Sequence, residues 1–328
     1  MIFIPFEIFT KGVGGPSTFM RNLREYLINK QFSFVEEIEK IDISDSIFFP
    51  ISFNERILKY YKKNKKPIIQ RLDGIYYPSK HGCKYHYLNW EIKKDYFKYS
   101  DFIIFQSKFS RLECFTIMGE IPEEKYSIIL NGTDKSVFKP SLKAFSKDKI
   151  IFAATGSFRN KDMVLPVVKA LDVVAKNYQI EYRIIGPVTS DEVAKILDRP
   201  YVKLRGKKDK HGLGDELSEA NILIHCQLNP ACPNSVIEAI SCGIPVVGFD
   251  TGAMKEVMYF APELLAYVSD DVFQIDKDFK HERLLEKLNL CINGYDKYKD
   301  LFLKYSGLYD FNETCEEYIK IFNKVANN

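Results

Sequence analysis

Short apolar runs rich in β-branched and aromatic residues alternate along the chain with longer stretches in which apolar residues recur at helical spacing. Short apolar runs bounded by polar, glycine or proline residues predict buried strands, and the longer periodic stretches predict amphipathic helices. A regular alternation of the two is typical of parallel sheets whose strands are joined by helical crossovers. The pattern therefore predicts an α/β fold built on parallel sheets.

The first half of the chain contains one such series. Its predicted strands are MIFIPFEIF, SIFFPIS, KPIIQRL, DFIIFQS and YSIILNG. Two of its helices are predicted over PSTFMRNLREYLINK and KFSRLECFTIMG. The sequence predicts that this series forms one sheet with helices on its faces.

A second series follows the polar, non-periodic segment Lys139–Lys149, which contains a proline and is typical of a linker. Its predicted strands are IIFAATG, EYRIIGP, VKLRG, NILIHC and IPVVGFD. The tail reads as an amphipathic helix that carries Phe311, Tyr318, Ile319 and Phe322 on one side.

Two α/β domains are the consequence of this repetition, over residues 1–140 and 141–308, followed by a last helix over residues 309–328. A chain of 328 residues with 46% hydrophobic content fits two domains better than one. In folds of this kind ligands bind where strands end and domains meet. We therefore expect the ligand site at the seam between the two domains.

Net charge identifies no partner, because 47 lysines and arginines stand against 44 acidic residues. The run KYYKKNKKP, Lys59–Pro67, concentrates five lysines and two tyrosines. It is either a solvated face or a basic aromatic patch, Lys59–Lys66, that rests on anionic lipid or a polyanionic acceptor. Nucleic acid is not expected as a partner, because no zinc-finger, helix-turn-helix or RNP-type signature accompanies the run.

Seven cysteines, an odd number without a Cys-x-x-Cys pair, favour reduced thiols over a disulfide framework or a zinc site. The apolar amino terminus lacks the basic region and the small-residue cleavage site of a signal peptide, and no apolar run is long enough to span a membrane. A cytoplasmic protein that binds no metal is the expectation.

The stretch NPACPNSVIEAISCGIPVVGFDTGAMKEV, Asn229–Val257, concentrates the candidate chemistry. It predicts a loop after a strand, a short helix capped by Asn234 or Ser235 and ended by Gly243, and then another strand. The free backbone N–H groups of the first helical residues, Asn234, Ser235 and Val236, would point at a ligand. Such a helix start is a site for phosphate.

Glu238 lies one turn into the same helix. Its carboxylate could accept hydrogen bonds from a diol such as the ribose 2′- and 3′-hydroxyl groups. An acidic residue near a helix start also simply favours the helix dipole, so both interpretations stand on spacing alone.

This stretch resembles the retaining glycosyltransferases of family 4, which have the GT-B architecture of two Rossmann-like domains with parallel sheets facing across a cleft. Those enzymes carry a Glu, seven residues, and a second Glu on a helix, followed by A-x-x-x-G-x-P-V-V. The second part of this motif is matched by Glu238, Ala239, Gly243, Pro245, Val246 and Val247.

Two departures accompany the match. The turn TGAMKE keeps Gly252 and Glu256 of the family's Gly-Gly-x-x-Glu turn and has Ala253 in place of the second glycine. Pro230 stands eight residues before Glu238, where the family's first Glu contacts the donor sugar. The resemblance therefore implies a nucleotide-sugar site with altered sugar recognition.

Further segments match the family at the expected places. KGVGGPSTFMRNL resembles its glycine-rich loop after the first strand, where Gly14 and Gly15 would allow close approach to donor phosphate and acceptor. The segment SDFIIFQSKFSRLE matches the family's strand that reaches Ser107, and IILNGTDKSVFKP matches its Asn-Gly-x-Asp…Phe-x-Pro segment before the second domain. The last helix would cross back onto the first domain.

The segment FAATGSFRNKDMVLP matches the loop from which family members hold the donor diphosphate with an Arg and a Lys. The resemblance assigns these catalytic roles to Arg159 and Lys161, which would neutralise charge on the leaving group, with Gly156 and Ser157 at the donor. Two exposed cations that are merely solvated are the alternative.

QRLDGIYYPSKHG lies where the family's first domain usually presents a His to the sugar. Asp73 is our candidate for a catalytic contact with acceptor or donor hydroxyls, and Arg71 for binding phosphate or an acidic acceptor. A structural Arg71–Asp73 pair is the alternative. Tyr76 and Tyr77 form either an acceptor wall or part of a loop.

The resemblance implies a retaining glycosyltransferase that moves a hexosyl or related sugar from a UDP- or GDP-sugar to a hydroxyl on a glycan or lipid-linked acceptor. Neither cofactor nor metal is expected, because the protein's cations would replace a divalent ion. Cell-surface glycan synthesis at the inner face of the membrane is the implied setting. A GT-B epimerase or hydrolase and a catalytically silent nucleotide-sugar-binding scaffold are the alternatives.

Overall fold

The chain divides into two compact units in a computed structural model. The described residues are 1–11, 15–141, 145–146, 148–225, 227–268 and 280–326. The first unit consists of Met1–Asn131 and Asn312–Asn328, and the second of Gly132–Phe311. The chain thus changes unit after residues 131 and 311, whereas the sequence analysis places its boundaries after residues 140 and 308.

The first unit is built on a parallel sheet. Its strands are β1 (Ile2–Phe3), β2 (Phe34–Val35), β3 (Ser46–Pro50), β4 (Ile68–Leu72), β5 (Phe102–Phe105) and β6 (Tyr126–Ile128). In the described part of the chain they are ordered β2-β1-β3-β4-β5-β6. Every residue of β3, β4 and β5 is buried, which is typical of a parallel sheet covered on both faces.

Helices cover this sheet. They are α1 (Phe6–Phe9), α2 (Gly15–Asn29), α3 (Glu55–Lys63), α4 (Pro78–His81), α5 (Lys84–Lys94) and α6 (Lys108–Ile117), with α14 (Phe311–Ala326) at the end of the chain. Short 3-10 turns occupy Ile38–Ile43 and Glu123–Lys125, and a π-helical turn, Asp95–Tyr99, continues α5.

Helix α14 completes the core of the first unit. The ring of Tyr318 lies 5.0 Å from that of Phe19 and 5.7 Å from that of Phe48, measured between centroids. The ring of Phe322 lies 5.1 Å from that of Phe48. Tyr318 and Phe322 are buried, as the helical periodicity of the tail predicts.

The second unit repeats the architecture. Its strands are β7 (Ile150–Thr155), β8 (Ile180–Ile185), β9 (Val202–Gly206), β10 (Ile222–His225), β11 (Val246–Asp250) and β12 (Leu265–Tyr267). Its helices are α7 (Lys161–Val174), α8 (Asp191–Ile196), α9 (Lys210–Glu219), α10 (Asn234–Ser241), α11 (Met254–Val257), α12 (His281–Asn293) and α13 (Tyr295–Lys304), with a 3-10 turn at Pro262–Leu264. Within the described ranges the sheet is parallel and ordered β12-β11-β10-β7-β8-β9.

Two parallel α/β sheets therefore confirm the predicted fold class, with two differences in detail. The predicted first strand, MIFIPFEIF, ends at Phe3, because the segment turns at Pro5 into the short helix α1. The short strands β2 and β12 were not predicted, since two or three residues give no readable alternation of apolar and polar positions. No helix in the described residues has the length and apolar content that crossing a bilayer requires.

Candidate functional site

Strands β7, β10 and β11 of the second unit are neighbours and run parallel, so their carboxyl ends meet at one edge of the sheet. The chain leaves this edge through residues 156–160, 227–233 and 251–253. In sheets of this type, ligands bind outside the carboxyl ends of the strands. We therefore expect the predicted donor residues to lie in or beside these three segments.

Glycines allow the backbone to close up at the end of β7. Gly156 has φ 145°, and a Cβ there would lie 2.8 Å from the side-chain nitrogen of Gln227. Gly186, at the end of β8, has φ 139°, and a Cβ there would lie 1.9 Å from the carbonyl oxygen of Gly156. Both positions have a backbone conformation that favours glycine, and at Gly186 the neighbouring backbone leaves no room for a side chain.

The loop after β10 is fixed against the turn after β11. The hydroxyl of Thr251 donates to the side-chain oxygen of Asn229 at 2.6 Å and accepts from the Asn229 N–H at 3.2 Å. The Ala253 N–H donates to the carbonyl of Pro230 at 2.9 Å. A Cβ on Gly252 would lie 2.5 Å from the Pro230 ring. Pro230 therefore packs on the Gly252 turn, and its ring offers no polar group to a ligand.

Helix α10 begins directly after this loop. Its N-cap is Pro233, whose carbonyl accepts from the N–H groups of Val236 at 3.0 Å and Ile237 at 3.2 Å. Asn234 and Ser235 are its first two residues, so the expectation that one of them caps the helix is wrong. Proline has no side-chain acceptor, so Pro233 leaves the helix start without a side-chain cap.

The carboxyl end of α10 matches the prediction. Gly243 has φ 63°, and the Ile244 N–H donates back to the carbonyl of Ala239 at 2.9 Å. This is the hydrogen bond of a glycine-ended helix. The turn fixes how α10 leads into β11.

His225, the last residue of β10, connects the sheet edge to α10, and the sequence analysis did not identify it. Its side chain is buried, with 3% exposure, and its Nδ1 lies 3.1 Å from the Ser235 hydroxyl oxygen. Its Nε2 has no hydrogen-bond partner among the described residues. Burial lowers the pKa of His225 to about 4, so the ring is neutral at neutral pH.

A cavity of about 20 Å³ adjoins His225. Gly156, Ser157 and Gln227 also line it. Such a volume holds about one water molecule. The fold therefore brings the predicted donor residues Gly156 and Ser157 to a buried histidine that contacts a third, Ser235.

Glu238 lies one turn into α10 and is half-buried. Burial raises the pKa of its carboxyl to about 7, and the positive charge of Lys210 opposes that rise. Lys210 is the first residue of α9, and its ammonium lies 2.5 Å from an oxygen of Asp134. A carboxyl group with a pKa near neutrality, held at a helix start, changes charge in the physiological range.

Arg159 and Lys161 follow the glycine turn. The turn is held by Phe158, whose N–H donates to the carbonyl of Pro187 at 2.9 Å. Arg159 is exposed and has no partner among the described residues. Lys161 starts α7, and its ammonium lies 3.0 Å from Glu192 in an exposed ion pair that raises the pKa of Lys161.

Arg71 lies inside the first unit, with 0% exposure. Its guanidinium donates to the Tyr318 hydroxyl at 2.9 Å and to the Asn131 side-chain oxygen at 3.0 Å, and forms an ion pair with Asp73. The group also lies 3.8 Å from the centroid of the Phe19 ring. These contacts hold the Arg71 guanidinium within its own unit.

Asp73 also accepts from the side-chain nitrogen of Gln106 at 2.8 Å, while its second oxygen is buried without a hydrogen-bond partner among the described residues.

Tyr76 is exposed and meets the His81 ring edge-on at 5.0 Å, whereas Tyr77 is buried against the same ring. Gly15 is the first residue of α2, and Gly14 lies outside the described residues.

Within the described ranges, no group of three or more His, Cys, Asp or Glu side chains is arranged to hold a metal ion. The polar groups at the second unit's sheet edge include a neutral imidazole, hydroxyls, amides, an exposed guanidinium and the carboxyl of Glu238. That set suits an uncharged or anionic ligand with many oxygen atoms.

Residues 148–270 match the family profile described as "Glycosyl transferases group 1". The matched range covers β7 to β12 and therefore contains the sheet edge described above. Curated protein sequences give no significant match to the chain.

Solved structures share the fold over nearly the full chain. A sucrose-phosphate synthase from Thermosynechococcus elongatus has a TM-score of 0.74 at 12% identity and covers 99% of this chain and 98% of its own. Anabaena HepE in complex with UDP-glucose gives 0.66 at 14%, covering 98% and 99%. WaaG, a glycosyltransferase involved in lipopolysaccharide biosynthesis, gives 0.68 at 11%, covering 98% and 99%. The chain has the GT-B fold of these proteins.

Proposed function

We propose that this chain is a retaining glycosyltransferase that moves a hexosyl or related sugar from a UDP- or GDP-sugar to a hydroxyl acceptor. The observation that carries the proposal lies within residues 148–270, the range that matches the glycosyltransferase profile. There the Gly156 turn, the buried His225 and the start of α10 adjoin one edge of a parallel sheet. The complexes of HepE with UDP and UDP-glucose add support for a nucleotide-sugar donor.

The donor diphosphate would lie at the start of α10. This helix has no side-chain cap, so a phosphate can meet its first N–H groups and the positive end of its dipole. Arg159 has no partner among the described residues and would pair with the same phosphates. Lys161 would join by leaving Glu192, since exposed ion pairs contribute little stability.

In the transfer step, the bond between the anomeric carbon and the diphosphate oxygen breaks, and its electron pair stays on that oxygen. The acceptor hydroxyl oxygen forms the new bond to the same face of the sugar, and its proton passes to the leaving phosphate oxygen. Arg159, Lys161 and the α10 N–H groups stabilise the charge that develops there. In this proposal these protein groups replace a divalent ion.

Glu238 would accept hydrogen bonds from the ribose hydroxyls, and it does so best when ionised. Pro230 packs against Gly252 where the family's first Glu would contact the donor sugar. Sugar recognition therefore falls to other groups of the site in this proposal. Asp73, with one buried oxygen unpartnered among the described residues, is proposed to contact acceptor or donor hydroxyls from the first unit.

Cell-surface glycan synthesis is the proposed setting, on the likeness to WaaG and its role in lipopolysaccharide biosynthesis. The acceptor would be a glycan or a lipid-linked sugar, and Lys59–Lys66 would touch the inner face of the membrane. Tyr61 of this run is buried and Tyr60 is half-buried, so the lysines would make most of that contact. Replacing Lys62, Lys63, Lys65 and Lys66 with glutamine should weaken binding to anionic vesicles, and unchanged binding would remove this part of the proposal.

The test of the main proposal is a thermal-shift series with UDP, GDP, ADP and CMP and their sugar conjugates. A ligand that binds the native state raises the unfolding midpoint, by an amount that corresponds to about 2.7 kcal/mol at a hundredfold excess over its dissociation constant. We expect a shift with one diphosphate and its sugar conjugate. Sugar transfer from that conjugate is then measured with candidate acceptors, and the anomeric configuration of the product is read by NMR.

Arg159→Ala should abolish the shift, whereas Lys176→Ala should leave it intact. Lys176 is an exposed cation beyond the opposite end of α7, so its removal changes the charge of the unit equally. The absence of a shift with every nucleotide, or an equal loss in both variants, would overturn the proposal.

A further inference from the structure

A second cavity lies in the first unit, at the edge of the sheet where strands β4 and β5 begin. Its volume is about 480 Å³, and four lysines line it: Lys62, Lys65, Lys66 and Lys324. Pro67 and Phe102, which stand at the starts of β4 and β5, also line it. We call this feature the lysine cavity. Residues of the run Lys59–Lys66 and of the last turn of α14 line the cavity together. These two segments are far apart in the chain, so the sequence alone does not predict that they meet.

Three of the four lysines, Lys65, Lys66 and Lys324, have no counter-ion among the described residues. The Lys65 side chain has no hydrogen bond or ion pair among the described residues. Within the same residues the Lys324 ammonium has no charged partner, and it lies 5.3 Å from the centroid of the Phe102 ring. Lys66 donates to the carbonyl oxygens of Asp42 at 2.9 Å and Ser44 at 2.5 Å, so its charge is not neutralised.

Two acidic residues also line the lysine cavity. Asp101 forms an ion pair with Lys62 and accepts from the Ile68 N–H at 3.0 Å, so it is satisfied. Glu124 is exposed. Four cations against two carboxylates leave the cavity positive.

Lys65 lies just beyond the carboxyl end of α3. Lys65 has φ 54°, a conformation that glycine favours, and its N–H donates to the carbonyl of Lys62 at 3.1 Å. The next N–H, of Lys66, reaches the carbonyl of Tyr61 at 2.9 Å. A lysine at such a position has a conformational cost that glycine would avoid.

The lysine cavity is separate from the edge where Arg71 and Asp73 lie. Strand β4 runs from Ile68 beside the cavity to Leu72 beside Asp73. Five residues of parallel strand span roughly 15 Å. A ligand in the lysine cavity would therefore not occupy the sugar-transfer site, and the inference does not rest on the proposed function.

We propose that the lysine cavity binds a small phosphate-bearing anion. Its volume is in the range of small-molecule sites, which are about 300–1,000 Å³. Lysine ammonium groups bind phosphate as point charges, and several around one cavity attract a multiply charged group. The phosphate belongs either to a soluble phosphorylated compound or to a lipid headgroup.

The experiment is a calorimetric titration of the full chain with inorganic pyrophosphate at about 50 mM salt, where screening between charges is weak. The test variant is the double substitution Lys65→Gln and Lys324→Gln. Its control is Lys93→Gln and Lys320→Gln, which removes the same charge from exposed positions on α5 and α14 outside the cavity. Arg159→Ala identifies any pyrophosphate that binds in the second unit, because it removes the cation proposed to bind phosphate there.

We expect the test variant to weaken pyrophosphate binding by about tenfold or more, because two charge-assisted contacts are lost. The control and Arg159→Ala should each retain this binding event. Equal weakening in the test and control variants would mean diffuse attraction only, and unchanged binding in the test variant would mean no site. Either result overturns the proposal.

Vesicles of phosphatidylcholine and phosphatidylglycerol distinguish the two sources of phosphate. The cavity takes a lipid headgroup if the wild-type chain and the control variant sediment with the vesicles while the test variant does not. If no variant sediments with vesicles while pyrophosphate binds as expected, the ligand is soluble. Both results support the cavity as a phosphate site.

Discussion

The Nδ1 atom of His225 lies 3.1 Å from the hydroxyl oxygen of Ser235, so the last residue of β10 is tied to the first turn of α10. This contact fixes the helix start relative to the sheet edge. It also leaves Nε2 buried without a hydrogen-bond partner among the described residues, and His225 lines a cavity together with Gly156. The neutral state of His225 is therefore part of how the site is held together.

Protonation of His225 should destabilise the protein in acid. Its folded pKa of about 4 lies below the unfolded value of about 6.5, so the neutral ring contributes stability above pH 6.5 that is lost as the pH falls towards 4. The full difference corresponds to roughly 3 kcal/mol. Urea unfolding of the wild type and His225→Phe between these pH values measures it.

His225→Phe should flatten this part of the profile, although it loses the bond to Ser235. Ser235→Ala serves as the control, because it removes the bond and keeps the titrating ring. An unchanged slope in His225→Phe would show that other groups cause the acid dependence.

Glu238 should make donor binding weaker as the pH falls through its raised pKa. Its raised pKa, about 7, means that the folded protein binds a proton which the unfolded chain releases above pH 4.5, so this residue lowers stability as the pH rises from 4.5 to 7. Binding of a ribose diol favours the ionised carboxylate. Donor affinity should therefore rise about tenfold between pH 6 and pH 7.5, because protonated Glu238 must first ionise.

Calorimetric titration of the nucleotide found by thermal shift, at several pH values, measures this dependence. Glu238→Gln should weaken binding and remove the pH dependence, while Glu286→Gln, an exposed acid on α12, should change neither. Equal pH dependence in the wild type and Glu238→Gln would exclude Glu238 as the titrating group.

Gly186→Ala should be severely destabilising. The added Cβ would lie 1.9 Å from the Gly156 carbonyl oxygen, at a backbone φ of 139°. We expect a loss of about 4 kcal/mol or more, since backbone must move. Gly206→Ala is the matched control, because Gly206 also has positive φ, 66°, with nothing within 4 Å of an added Cβ.

The control should lose only about 1–2 kcal/mol, the cost of a left-handed conformation for alanine. Denaturant unfolding compares the two variants. A similar loss in both would contradict the close contact between the ends of β7 and β8.

Arg71→Met should destabilise the protein by about 3–5 kcal/mol, because it leaves the Asp73 carboxylate buried without its cation. Adding Asp73→Asn should recover part of this loss, since the buried charge is then removed as well. Arg159→Met, at an exposed position, should change stability by less than about 0.5 kcal/mol. An Arg71→Met variant as stable as the wild type would show that the ion pair has no structural role.

Much of the fold was readable because its signals are local. The predicted strand runs around Phe48, Ile103 and Val247 were confirmed, because each is a short apolar segment between polar or glycine residues. Gly243 was readable as a helix end because left-handed backbone favours glycine. The prediction that Asn234 or Ser235 caps α10 was wrong because it relied on residue type. In the structure the N-cap is Pro233, one residue before Asn234.

The sequence by itself determined the two series of parallel strands, the helix carrying Glu238 and the glycine turn before Arg159, since each follows from residue type and spacing along a few turns of chain. Only the tertiary structure decided that His225 contacts Ser235 and that Arg71 is buried against Tyr318. The same holds for Lys324, which joins Lys65 at one cavity. Such contacts join residues far apart in the chain, and burial, which sets the pKa of His225 and Glu238, exists only once the core has formed.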